Sequence, residues 1–179
     1  MIKQEAYFGG GCFWCTEAIF KNLEGVILIE PGYCGGSVAN PTYEQVSRGD
    51  TGHAETIRIV FDSDVLSFDR LLDVFFHTHD PTSLNRQGND SGTQYRSVIF
   101  YVDDEQKSAA KGYIRKLGEN GEFSKPIVTD VTAFDVFYPA EDYHRDYFAN
   151  HSKEPYCQLV INPKIEHFWQ RYEDWAKKS

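Results

Sequence analysis

Hydrophobic residues recur along this chain with two periods, and the changeovers between them mark out its elements. Glu55 to Phe61 alternates: Ile57, Ile59 and Phe61 point one way and Thr56, Arg58 and Val60 the other, as in a half-buried strand. Apolar runs at Gln4 to Phe8, Val26 to Tyr33 and Tyr95 to Val102 read as further strands. Between them the period lengthens to that of a helix. Cys12, Cys15, Ile19 and Leu23 share one face of a first helix, with Gly25 as its stop. Phe68, Leu71, Leu72 and Phe75 share the face of a second, capped by Ser67 and ended by Pro81. A third, Asp103 to Gly118, turns Ala110, Tyr113, Ile114 and Leu117 inward. The order strand, helix, strand, strand, helix, strand predicts an α+β protein with a ferredoxin-like β-α-β-β-α-β core. A β segment in 126–138 and short helices near 140–150 and 165–177 decorate it. The last carries Ile165, Phe168, Trp169, Tyr172 and Trp175 on one face, and Gln158 to Ile161 reads as a strand. Neither period covers Gly32 to Gly52 or Asp80 to Thr93. No repeat or linker divides the chain, so residues 1–179 are expected to form one domain.

Composition narrows the classes of function. With 41% apolar and 25% charged residues the chain can bury a proper core. Its net charge of −9 leaves no excess of Lys and Arg for phosphates, which argues against nucleic acid or an anionic membrane as partner. No run approaches the roughly 18 apolar residues of a membrane span. Glu5 sits where a signal peptide needs its apolar stretch, so a cytoplasmic protein is expected. Cysteines at 12, 15, 34 and 157 are too few and scattered for a disulfide scaffold, and reduced thiols are the default. Cys12 and Cys15 form half of a zinc pattern with no second pair to complete it. His77-Thr78-His79-Asp80 closes a helix, where histidines meet the last carbonyls. No metal or cofactor is expected.

The chemistry concentrates at Gly9-Gly10-Gly11-Cys12-Phe13-Trp14-Cys15-Thr16-Glu17, which sets a thiol at the first turn of a helix beside two large rings. Glycines let the backbone approach a ligand, and the unpaired N–H groups of a helix start favour a thiolate. A buried cysteine among core aromatics has the same local pattern. Both readings stand on these residues alone.

Longer motifs separate them. That glycine-led stretch, then Gly32-Tyr33-Cys34-Gly35-Gly36, Pro41-Thr42-Tyr43, Gly49-Asp50-Thr51-Gly52-His53-Ala54-Glu55, Arg86-Gln87-Gly88-Asn89-Asp90 and Gly92-Thr93-Gln94-Tyr95-Arg96-Ser97 closely resemble the peptide methionine sulfoxide reductase A family. The match keeps its order across the first half of the chain and continues more weakly to Tyr156-Cys157. The resemblance implies Cys12 as nucleophile, Glu55 as acid, and Phe13 and Trp14 as the pocket for the substrate methyl group. Tyr43 and Tyr95 would bind the sulfoxide oxygen, and Asp90 would orient the substrate. It further implies action on the S epimer of methionine sulfoxide, free or in proteins, with thioredoxin or a similar dithiol as reductant and no bound cofactor.

Elementary chemistry asks for the same partners. A sulfoxide oxygen leaves sulfur only when protonated, so a thiolate must attack sulfur while an acid delivers a proton. A free thiol of pKa near 8.5 is only about 3% ionised at neutral pH, and a helix start contributes about 0.3–1 kcal/mol, less than one pKa unit. An ionised Glu55 would oppose the thiolate, so this residue is expected to rest protonated, raised by burial among aromatic rings. The resulting sulfenic acid calls for a second thiol. Cys15 and Cys157 are the candidates, with Cys34 behind them. Cys15 lies one helical turn on, where Cβ atoms stand about 5–6 Å apart against the roughly 3.5–4.5 Å of a disulfide. Cys157 follows a tyrosine in the context of a family resolving cysteine. Two rival functions make different demands: a thioredoxin-like dithiol exchanger would ignore Glu55, and an aromatic pocket that only captures methionine peptides would tolerate Cys12→Ser.

Overall fold

The structure, a computed structural model, describes residues 1–178. Its frame is a six-stranded sheet of β1 (Lys3–Gly10), β2 (Val26–Cys34), β3 (Ala54–Asp62), β6 (Ser97–Tyr101), β7 (Asp130–Ala133) and β8 (Phe137–Pro139), in the order β7-β6-β1-β3-β2-β8. β7 runs parallel to β6, and every other pairing is antiparallel. The four strands expected from the first hundred residues are thus neighbours. Two short strands, β4 (Arg86–Gln87) and β5 (Asp90–Ser91), make a separate hairpin.

Alternation along the strands gives the sheet two differently covered faces. Phe8, Ile57, Ile59 and Phe61 belong to the main core with α1 (Phe13–Phe20), α3 (Phe68–Thr78) and α4 (Asp104–Glu119). Tyr7, Cys34, Ala54, Val98 and Phe100 face the other way, under Phe134 and Phe137, with Tyr7 stacked on Phe134 at 4.2 Å. Ser67 and Asp103 cap α3 and α4 by accepting the N–H groups of Arg70 and Gln106. β8 reaches β2 across Gly32, where a Cβ would strike the Phe137 ring and the Tyr138 carbonyl.

Several elements differ from their sequence reading, each for a physical reason. In α1 every residue but Trp14 is buried, because the sheet covers one side and the last quarter of the chain the other. The expected loop 32–52 contains α2 (Tyr43–Ser47), closed by a reciprocal capping box between Thr42 and Gln45. Tyr95 leaves its expected strand for a one-turn 3-10 helix, Thr93–Tyr95. The single β segment of 126–138 divides into β7 and β8, on opposite edges of the sheet. Gln158 to Ile161 is not a strand: Cys157–Ile161 is a π-helical turn leading directly into α6 (Asn162–Tyr172). Leu159 is 77% exposed and Cys157 and Ile161 fully buried, a spacing of four that suits a helix better than a strand. On α6, Phe168 and Tyr172 pack inward, but Trp169 is 39% exposed and falls off the expected face. Before these come a 3-10 turn at Asp142–His144 and the short α5 (Tyr147–Asn150).

Candidate active site

Three elements meet at Cys12. β1 delivers the chain to Gly11, whose φ of +93° is left-handed and whose missing Cβ would lie 2.7 Å from the Gln87 side chain. Cys12 follows as the N-cap of α1, with φ −59° and ψ 125°, and its carbonyl accepts the Cys15 N–H at 3.0 Å. The sulfur therefore sits at the helix head, outside the helical spiral.

β3 supplies the acid. Glu55 pairs with Tyr33 across the β2–β3 ladder and points to the helix-covered face, where it is only 2% exposed. Its Oε1 accepts the Phe13 N–H at 3.3 Å, one of the free donors of the first turn of α1. Burial pushes its carboxyl up to about 8; the Phe13 bond opposes this, and the charges of Asp90 and Cys15 add to it. At neutral pH Glu55 thus carries its proton.

The aromatic groups come from short helices and helical turns. Tyr43 opens α2, and its backbone N–H donates to Glu141 Oε2 at 3.0 Å. Its ring lies 6.3 Å from both Phe13 and Trp14. Burial raises the phenols of Tyr43, to about 12, and of Tyr95, and the neighbouring Glu55 opposes ionisation of both. Trp14 stacks on Tyr147 with centroids 3.7 Å apart, and its indole N–H donates to Nδ1 of the fully buried His144 at 3.0 Å. That bond leaves the imidazole hydrogen on Nε2. Glu141 accepts the Tyr33 hydroxyl at 2.9 Å, which ties the 141–147 segment to β2.

The thiols divide by sheet face. Cys12, Cys15 and Cys157 share a cluster with Ala18 and Ile161, bordered by Tyr95 and Tyr156. Cys34, ranked behind Cys15 and Cys157 as a resolving thiol, does not join them. It instead ends β2 opposite Ala54 and packs under the other face, since neighbouring strand residues point oppositely. Burial holds the Cys12 thiol well above its ordinary value, whereas Cys15 is lowered to about 7, chiefly by its interaction with the neighbouring Cys12. Asp90, on β5, accepts the Tyr156 hydroxyl at 2.7 Å, and that hydroxyl lies 3.9 Å from the Cys15 sulfur.

A cleft of about 810 Å³ reaches Cys12 from the Asp90 and Tyr156 side and runs on past Phe123 to Lys164 and His167. Of the other residues expected at the site, Phe13, Trp14, Tyr43, Glu55 and Tyr95 do not line it. Sequence reasoning missed Glu141, His144, Tyr147 and the hydroxyl of Tyr156. No local pattern marks the first three, whose contacts with Tyr43 and Trp14 form only on folding. His77 and His79 each bond a carbonyl four residues back, at Asp73 and Phe75. Among the described residues no group of His, Cys, Asp and Glu is arranged to hold a metal, and no helix is long and apolar enough to cross a membrane.

A cysteine at a helix head, beside a protonated carboxyl and under aromatic rings, gives this α+β fold the equipment of a thiol-dependent oxidoreductase. A family model described as peptide methionine sulfoxide reductase matches residues 4–177. The peptide methionine sulfoxide reductase MsrA of Saccharolobus solfataricus is 52% identical over 172 residues, covering 96% of each chain. That of Deinococcus radiodurans is 50% identical, covering 96% of this chain and 84% of its own. Among solved structures, reduced Mxr1 of Saccharomyces cerevisiae superposes with a TM-score of 0.81 at 30% identity, covering 87% of this chain and 89% of that one. Methionine sulfoxide reductase A of Corynebacterium diphtheriae gives 0.75 at 33% identity, covering 84% and 76%. The chain belongs to the peptide methionine sulfoxide reductase family.

Proposed function

We propose that this protein reduces the S epimer of methionine sulfoxide, free or in proteins, to methionine, and that residues 1–179 act as one catalytic domain with a ferredoxin-like core. The adjacency of four strands in the order β6-β1-β3-β2, flanked by α1 and α3, supports the description of the core. The S epimer rests on the family resemblance.

In the proposed reaction Cys12, as thiolate, attacks the sulfoxide sulfur while Glu55 gives its proton to the oxygen. The oxygen ends on Cys12 as a sulfenic acid; the Cys12 sulfur is oxidised by two electrons and the substrate sulfur reduced by two, leaving as a thioether. Transfer of the Cys12 proton to Cys15, its neighbour in the buried cluster, prepares the thiolate. The hydroxyls of Tyr43 and Tyr95 donate to the oxygen as charge gathers there, Phe13 and Trp14 hold the methyl group, and Asp90 orients the substrate. The observation that carries this reading is the burial of the Glu55 carboxyl, which pushes it up to about 8, one hydrogen bond from the residue after Cys12. Neither disulfide exchange nor peptide capture requires such a proton donor.

Cys15 is our choice of resolving thiol. Because Cys12 is an N-cap with extended ψ, the spacing that obstructs a disulfide inside a helix does not apply to this pair. Cys157, buried in the same cluster, is the second candidate. The disulfide then passes to thioredoxin or a similar dithiol; Mxr1 of yeast, a protein of the same fold, has been crystallised with Trx2. A cytoplasmic setting, where such reductants keep thiols reduced, suits the cycle.

One experiment tests both parts. Reduced protein is given one equivalent of methionine sulfoxide, and digested without reductant for mass spectrometry. Methionine release with a Cys12–Cys15 peptide is expected, and a Cys12–Cys157 peptide would move the resolving role. Unchanged turnover by Cys12→Ala would overturn the reaction itself.

A further inference from the structure

The proposed cycle leaves one polar group of the site without a task, the phenol of Tyr156. Its ring meets Trp14 edge-on at 5.9 Å. Its hydroxyl lies 3.9 Å from the Cys15 sulfur and donates to Asp90 Oδ2 at 2.7 Å, and the residue lines the cleft together with Cys12. The phenol has a single hydrogen, and the bond to Asp90 uses it. The contact with Cys15 then runs from its S–H to the phenol oxygen. One hydroxyl thus meets the Cys15 sulfur beside Cys12, steadied by a carboxylate.

Closing the disulfide needs such a group. Cys15 must lose a proton while the hydroxyl on oxidised Cys12 must gain one, since hydroxide is a poor leaving group. Cys15 is only 1% exposed, so a group already touching its sulfur is better placed than bulk water to carry that proton. We propose that Tyr156 is the proton shuttle by which Cys15 closes on the Cys12 sulfenic acid, with Asp90 as its positioning residue. This rests on the resolving role given to Cys15 above. In the step the Cys15 sulfur attacks the Cys12 sulfur, the S–S bond forms and the S–O bond breaks. Cys15 sulfur is oxidised and Cys12 sulfur reduced. The phenol oxygen takes the proton from Cys15 and releases one to the departing hydroxyl, which leaves as water into the cleft lined by Cys12 and Tyr156. Tyr156 ends as it began, and no outside oxidant enters.

The test follows methionine release and loss of free thiols separately after one equivalent of methionine sulfoxide. In Tyr156→Phe, which keeps the ring, thiol loss should slow by about 100-fold relative to methionine release, with sulfenic acid accumulating at Cys12. In the unaltered protein thiol loss should be slower in deuterium oxide than in water, a readout that survives if the variant does not fold. Thiol loss that keeps pace with methionine release in Tyr156→Phe, equal rates in the two solvents, or a disulfide at Cys157 overturns the shuttle while leaving the reductase reading intact. Absence of methionine release from the unaltered protein overturns both.

Discussion

Glu55 is a carboxyl whose usefulness and cost have one origin, its burial. As the proposed acid it acts only while protonated, so the rate of methionine release should fall as pH rises through about 8; stopped-flow rates across pH 6 to 10 check this. Its proton is held more tightly in the folded protein than in the unfolded chain, whose value is near 4.5. Stability from this group is therefore complete below about 4.5 and declines as pH rises to about 8, then levels off. Glu55→Gln keeps the oxygen that accepts the Phe13 N–H and removes the charge. It should lower turnover by about 100-fold or more while melting no earlier than the parent at pH 9, and an earlier melt would mean the carboxyl is not strained by burial. The place of Cys12 at a helix head was legible in its glycine-led stretch, whereas Tyr43 and Tyr95 were singled out only by the family resemblance. His144 and Tyr147 were not, since their part depends on folding against Trp14 from 130 residues away.

Short elements carry the site, and their stability governs its geometry. Thr42 caps α2 at the turn that presents Tyr43, so Thr42→Ala should cost about 1 kcal/mol and raise KM for methionine sulfoxide more than it lowers kcat; thermal melts and steady-state kinetics measure the two effects. The capping box was readable in Thr42-Tyr43-Glu44-Gln45, but five residues of helix carry too little periodicity to stand out. Gly32→Ala puts a methyl group against the Phe137 ring and the Tyr138 carbonyl. Displacing β8 should cost about 1–3 kcal/mol and lower activity with it, because the chain that follows leads to Glu141 and His144. The long helices α3 and α4 were legible from period and caps together. The 157–161 turn was not, because four apolar or amide residues in a row fit strand and helix alike until burial separates Leu159 from Cys157 and Ile161.

Across the whole molecule the sheet separates Cys34 from the other three sulfurs. Cys34 packs with Tyr7, Val98 and Phe100 on the face away from Cys12. Cys34→Ala should leave turnover and the mapped disulfide unchanged and cost about 1 kcal/mol in a denaturant melt; a loss of disulfide formation would contradict this placement. Strand pairing across residues 3–101 was legible because alternation and turn residues agree there, while the two edges, β7 and β8, come from one apolar segment whose division no local pattern announces. The cover over Trp14 is also made last, since Tyr147 and Tyr156 lie in the final quarter of the chain. A polypeptide leaves the ribosome from its N-terminus and folds as it emerges, so each new copy passes through an interval in which the helix head that carries Cys12 and Trp14 still lacks that roof.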